Sequence, residues 1–86
     1  MERTEVYKAI DSERDYQDQM TANPDRPDMI EDFHVGDGLT AIKYNLDKAV
    51  DAWYVGAVPH QDTMKYLRKI AGIITKLGEV HGLPPR

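Results

Sequence analysis

Two apolar stripes at helical spacing, joined by a linker too short to let them part, set the strongest limit on how this chain folds. The first stripe is Leu39, Ile42, Leu46, Ala49, Val50 and Trp53. The second is Met64, Leu67, Ile70, Ala71, Ile74 and Leu77, widened by Ile73. Steps of three and four place each set on one helix face. The first stripe holds an a/d heptad pattern for two heptads. Only "VGAVPHQ" stands between them, and so short a connection makes two helices antiparallel neighbours. The pattern predicts an antiparallel helical hairpin, with helices over about 35–55 and about 60–81.

The flanks agree with those limits. Gly56 is placed to follow the end of the second helix, and Pro59 comes shortly after. Asp62 in the first turn of the third helix suits its macrodipole. Gly36 and Gly38 weaken the start of the second helix. Gly72 and Gly78 each cost the third helix about 1 kcal/mol relative to alanine, so they are read as places where another helix crosses closely.

The N-terminal segment is less regular. A helix over about 4–20 carries the stripe Val6, Ile10, Glu13, Gln17 and Met20, with Ala9 and Tyr16 beside it. "TANPDRPD" then ends it, because two prolines within four residues cannot continue a helix. Residues 21–33 are read as a loop. A carboxylate and an amide on a core stripe need polar partners, since an unpaired buried charge costs several kcal/mol. Glu13 is expected to pair with a cation of the hairpin, with Arg68, Lys43 and Lys69 as candidates. Gln17 is expected to hydrogen-bond inside, and Arg14 and Tyr16 to sit at the edge.

The whole is an all-α single domain over 1–86, its N-terminal helix packed across the hairpin. A chain of 86 residues buries only about 60–65% of its unfolded surface. One side of the hairpin, and Trp53 at its end, stay open. Oligomerisation into a helical bundle with further copies of the chain is the expected remedy.

Charge and composition remove several function classes. The net charge is −4, which argues against duplex nucleic acid as a partner. There is no cysteine, so disulfides, thiolate catalysis and cysteine zinc sites are absent. The N-terminus "MERTEVYKAI" is charged from its second residue and is not read as a signal peptide. No apolar run approaches the roughly 20 residues of a membrane span. A cytoplasmic protein with no membrane partner is expected.

Metal and nucleophile patterns are poor. His34, His60 and His81 lie in three segments at no ligand spacing, and exposed helix-end histidines are the plain reading. The acids Asp25, Asp28, Glu31, Asp32 and Asp37 are dense but fail the calcium-loop pattern, because no glycine stands at its sixth position. Asp47 and Asp51 share a helix face beside Lys43 and Lys48, as surface charges do. Ser12 has no histidine near it. "VGDGLT" lacks the lysine and the preceding strand of a phosphate loop. No metal, cofactor or catalytic residue is assigned.

The cations and tyrosines carry more. Lys43 and Tyr44 stand beside the second helix's stripe, and Lys65, Tyr66, Arg68 and Lys69 surround Leu67 on the third. Tyr66 and Lys69, three apart, share a face. The plain reading is snorkelling, with long stems over the core and charges in water. The functional reading is an anion pocket, with cations on phosphate and tyrosine on a base. Its expected members are Lys43, Tyr44, Tyr66, Arg68 and Lys69, with Glu13, Arg14 and Tyr16 from the first helix.

"ERDYQD", then "HVGDGLTAIKYNLDKAVDAW", then "LRKIAGIITKLGEVHGLPPR" resemble a group of small phage-encoded proteins. These in turn resemble the MazG-like all-α nucleotide pyrophosphohydrolases. The likeness in layout spans nearly the whole chain. It implies a helical oligomer and, for an intact family member, Mg²⁺-dependent cleavage of nucleoside triphosphates through an E-x-x-E and an E-x-x-D. Placed on these motifs, the sequence has Tyr44 and Asp47 for the two glutamates, and Tyr66 and Lys69 for the second pair. One aspartate facing a lysine does not hold such metal ions. The resemblance thus implies the fold and a nucleotide pocket, and speaks against the reaction.

The expected function is that of a non-catalytic phage-type protein. It would bind or sequester a nucleotide, or a nucleotide-derived defence signal, in the cytoplasm of an infected bacterium. Two other classes compete. An acidic inhibitor of a host protein would dock through its charged loop, and its capture of that protein would survive changes at Arg68 and Lys69 but not in 25–32. A degenerate pyrophosphohydrolase would release pyrophosphate with Mg²⁺ and lose that activity in Asp47→Ala.

Overall fold

The computed structural model describes residues 1–22 and 33–86. Among them the chain is all-helical: α1 spans Arg3–Ala22, α2 spans Val35–Val55 and α3 spans Pro59–His81. The expected limits hold to within two residues at each end. Pro59 occupies the first turn of α3, where its missing N–H leaves no hydrogen bond unmade. Residues 23–32, most of the expected loop, lie outside the described residues, with the acids Asp25, Asp28, Glu31 and Asp32 among them.

The glycines decide how the helices meet. Gly38, near the start of α2, is buried against Leu77 near the end of α3, and a Cβ there would lie 2.6–2.9 Å from the leucine side chain. Further along α2, the Ala49 carbonyl accepts a hydrogen bond from Thr63 Oγ1, 3.3 Å away near the start of α3. Gly72, at the middle of α3, is buried where α1 crosses. A Cβ there would meet Gln17 Nε2 at 2.7 Å and Glu13 Cγ at 2.9 Å. The close crossing expected at Gly72 is present, whereas Gly78 has only the Leu83 Cβ near it, at 3.4 Å. Gly56 caps α2 in an extended conformation, φ −75°, and donates its N–H to the Ala52 carbonyl. The left-handed glycine is Gly82 after α3, φ 84°.

α3 is the centre of the fold. Both α1 and α2 pack on it, and among the described residues the backbones of α1 and α2 stay more than 8 Å apart, Cα to Cα. Among the described residues the apolar core is thin: Ala49, Ile70 and Ile73 are its buried hydrophobic members. Glu13 and Arg14 are buried beside it.

A cationic groove between α1 and α3

The local sequence explains why a groove opens here. α1 approaches α3 at the bare backbone of Gly72, so Glu13 and Gln17 come against the helix while Ala9, Ser12 and Tyr16 stand to one side. In the two turns before Gly72, α3 presents Lys65, Arg68 and Lys69, spaced to share a face. Seven residues bound an open cavity of about 470 Å³: Ala9, Ser12, Glu13 and Tyr16 from α1, and Lys65, Arg68 and Lys69 from α3.

Glu13 lies at the buried wall of this groove, its side chain 4% exposed. It accepts a hydrogen bond from Arg68 Nε at 2.9 Å. Gln17 donates from Nε2 to the Lys69 carbonyl at 3.3 Å. Both expectations for the polar stripe of the first helix therefore hold: the carboxylate pairs with a cation of α3, and the amide bonds inside. The Arg68 side chain is 47% exposed and lines the groove. Neither Lys65 nor Lys69 is in an ion pair among the described residues; both lie near the Tyr66 ring, 5.4 and 5.7 Å from its centroid.

The structure brings Glu13, Tyr16, Arg68 and Lys69 together and leaves the other expected members elsewhere. Arg14 is not at an edge but buried. It donates to Glu79 Oε2 from Nε at 3.0 Å and from Nη2 at 2.6 Å, and to Asp18 Oδ1 at 2.9 Å. The reason is reach: a long side chain on the flank of α1 curls onto α3, where the carboxylate of Glu79 fixes it. Burial alone pulls the Arg14 pKa down, but hydrogen bonds to Glu79 and Asp18 and their charges outweigh it and hold the group above its ordinary value. Stability from a raised pKa is lost only as pH rises through the folded value, which here lies beyond any ordinary working pH.

Lys43 is exposed on α2 and does not reach the groove. Tyr44 borders a different cavity, of about 580 Å³, together with Phe33, Ala41, Ile73 and Lys76. Its ring lies under Lys48, 5.4 Å away. Tyr66 is half-buried beneath the two lysines instead of lining the groove. α2 contributes nothing to the groove, because Tyr44 turns toward α1's far end while Lys65, Arg68 and Lys69 face its middle. The residues that sequence reasoning left out of the site are Lys65, Ser12 and Ala9. Lys65 carried a signal, since it stands three and four residues before Arg68 and Lys69.

The histidines are exposed, and His81 Nε2 lies 2.6 Å from the Phe33 carbonyl. Among the described residues no three acids, histidines or cysteines converge on a point that would suit a metal ion. No described helix is long and apolar enough to cross a membrane. Comparisons with protein-family models, curated proteins and solved structures gave no significant match to the chain.

Proposed function

We propose that this protein binds the phosphate-bearing part of a nucleotide or nucleotide-derived ligand in the α1–α3 groove, directly and without cleaving it. One observation carries the reading: in a chain of net charge −4, three cations line a single open groove that contains one carboxylate. That carboxylate is already engaged by Arg68 Nε. Arg68 thus has its position set by Glu13 and its remaining donors free of that bond, which is the arrangement that suits an anion. The Tyr16 ring, 54% exposed at the rim, offers a face for a base. A volume of about 470 Å³ is within the range of small-molecule sites. A groove of this sign has no carboxylate set for Mg²⁺, which takes oxygen ligands. That supports binding over the Mg²⁺-dependent hydrolysis of an intact MazG-like enzyme. The phage-type, cytoplasmic role belongs to the same proposal.

Two structural readings accompany it. The Gly38–Leu77 and Ala49–Thr63 contacts, joining opposite ends of α2 and α3, support their reading as an antiparallel hairpin. The thin core supports the reading of the chain as a homo-oligomer.

Calorimetric titration with EDTA present tests the binding. The probes are cyclic dinucleotides, ADP-ribose derivatives and nucleoside triphosphates. Saturable heat is expected from at least one of them, weakening as salt is raised. The double change Lys65→Ala, Lys69→Ala should lower its affinity by at least about tenfold, the effect of roughly 1.4 kcal/mol. Lys43→Ala should leave it unchanged. No heat from any probe would remove the proposal.

A further inference from the structure

We infer that the ligand of the α1–α3 groove carries a hydroxyl on the carbon next to its phosphate, and that Glu13 accepts a hydrogen bond from it. This rests on the reading of the groove as a phosphate site and names what stands beside the phosphate. The carboxylate is only half engaged. The Glu13 side chain is 4% exposed, and its Oε1 accepts the bond from Arg68 Nε at 2.9 Å. Among the described residues no donor reaches Oε2. Yet none of their side-chain oxygens is both sealed from solvent and without a partner. Oε2 therefore keeps a small opening to water. Glu13 lines the groove, so that opening is into the groove.

A ligand seated there closes it. Water leaves Oε2, and a charged oxygen is costly to bury without a partner. A ligand of anionic groups alone makes matters worse, because it brings like charge against the carboxylate. A donor at this point removes both penalties. The donor is a neutral hydroxyl and not an ammonium, because Lys65, Arg68 and Lys69 already supply the positive charge around Glu13. The protein also sets how far the donor lies from the phosphate. The carboxylate and the guanidinium that divide the ligand between them are themselves one hydrogen bond apart, at 2.9 Å. Hydroxyl and phosphate are then neighbours, as on adjacent carbons of a ribose ring. Nor can the carboxylate withdraw. Its stem lies against the backbone of Gly72, with Glu13 Cγ 2.9 Å from where a Cβ would stand. The ligand class is a ribonucleotide whose phosphate adjoins a free ring hydroxyl.

Adenosine 3′-monophosphate and its 2′-deoxy form differ by that one oxygen. Calorimetric titration of the whole protein with each, in EDTA, is the test. The ribose form should bind about tenfold more tightly, the effect of one hydrogen bond to a charged acceptor that water partly replaces. Neutral hydrogen bonds are about half as strong, so in Glu13→Gln the ratio should fall to about threefold. Glu13→Met keeps the length of the side chain without a comparable acceptor, and the ratio should fall to about one. A ratio isolates the contact, since a general loss of structure weakens both compounds alike. The Glu13 Cδ resonance of the unaltered protein gives a second readout, which decides the matter if the variants bind neither compound. The ribose form should shift it further than the deoxy form, and equal shifts would overturn the inference. Equal affinities in the wild type, or a preference that Glu13→Met retains, would overturn it too and leave the phosphate site standing. Saturation by neither compound would overturn both.

Discussion

Replacing Gly72 by leucine should release α1 from an otherwise folded protein. A Cβ alone at this position comes within 2.7 Å of Gln17 Nε2, 2.9 Å of Glu13 Cγ and 3.1 Å of Gln17 Cδ. The amide end can swing aside, at the loss of its bond to the Lys69 carbonyl. The Glu13 stem cannot, because its carboxylate is tied to Arg68. A leucine adds three more carbons in the same place. Overpacking of this kind costs about 1–3 kcal/mol or more, and helix propensity returns about 1 kcal/mol. The expected net loss is roughly 2 kcal/mol, centred on the α1 contact, because the close backbone approach of α1 is to α3. Hydrogen exchange is the measurement. The amides of α1 should lose protection about 30-fold, while those in the middle of α2 and α3 keep theirs. Gly72→Ala should show a smaller effect of the same kind. Unchanged protection in α1 of the leucine variant would mean that the helix is not held at this crossing.

The Glu13–Arg68 pair should respond unequally to the loss of its two members. Glu13 is 4% exposed and Arg68 47%. Arg68→Ala strands a carboxylate against the helix, where desolvation is no longer offset. For a fully buried pair that change costs 3–5 kcal/mol; the groove admits water, so about 2 kcal/mol is expected here. Glu13→Gln leaves an arginine that reaches water freely and an amide that still accepts its hydrogen bond. Its cost should stay below about 1 kcal/mol. Adding Glu13→Gln to Arg68→Ala should therefore restore part of the loss, a coupling of roughly 1 kcal/mol. Urea denaturation followed by helical circular dichroism measures all three. Equal losses from the two single changes would show that the buried carboxylate does not depend on its arginine.

The elements were legible because their signals are local. Stripe, glycine and proline define α2 and α3 to within two residues, and they do so without reference to any other helix. The polar break in the α1 stripe was legible for a different reason: a carboxylate on a core face has few ways to be satisfied. Arg68 was among the few cations placed to meet Glu13. What failed to read out depends on how the helices cross. Arg14 stands a quarter-turn from Glu13, which on the helix alone is an edge position. Only the course of α1 over α3 brings it to Glu79, 65 residues away. Tyr44 and Lys43 were assigned to the site from their place beside a stripe, and rotation of α2 about its axis carries them to other surfaces. Lys65 was visible on the correct face of α3, but nothing in the sequence says that α1 leaves that turn uncovered. The open apolar face follows from both causes, the local pattern of two stripes and the absence, among the described residues, of a third helix on that side.

Nuclear magnetic resonance with inorganic pyrophosphate, in EDTA-containing buffer, tests the cationic groove most directly. Pyrophosphate carries the charge of the proposed ligand without its base, so it interrogates the lysines and the arginine alone. The expected result is saturable shifts at Ser12, Glu13, Lys65, Arg68 and Lys69, including the Arg68 side-chain resonance, with α2 unaffected. The contrary result is an absence of shifts, or small unsaturable shifts spread over exposed lysines such as Lys8, Lys43 and Lys48. In that case the groove's cations serve only to cover the core and meet the solvent.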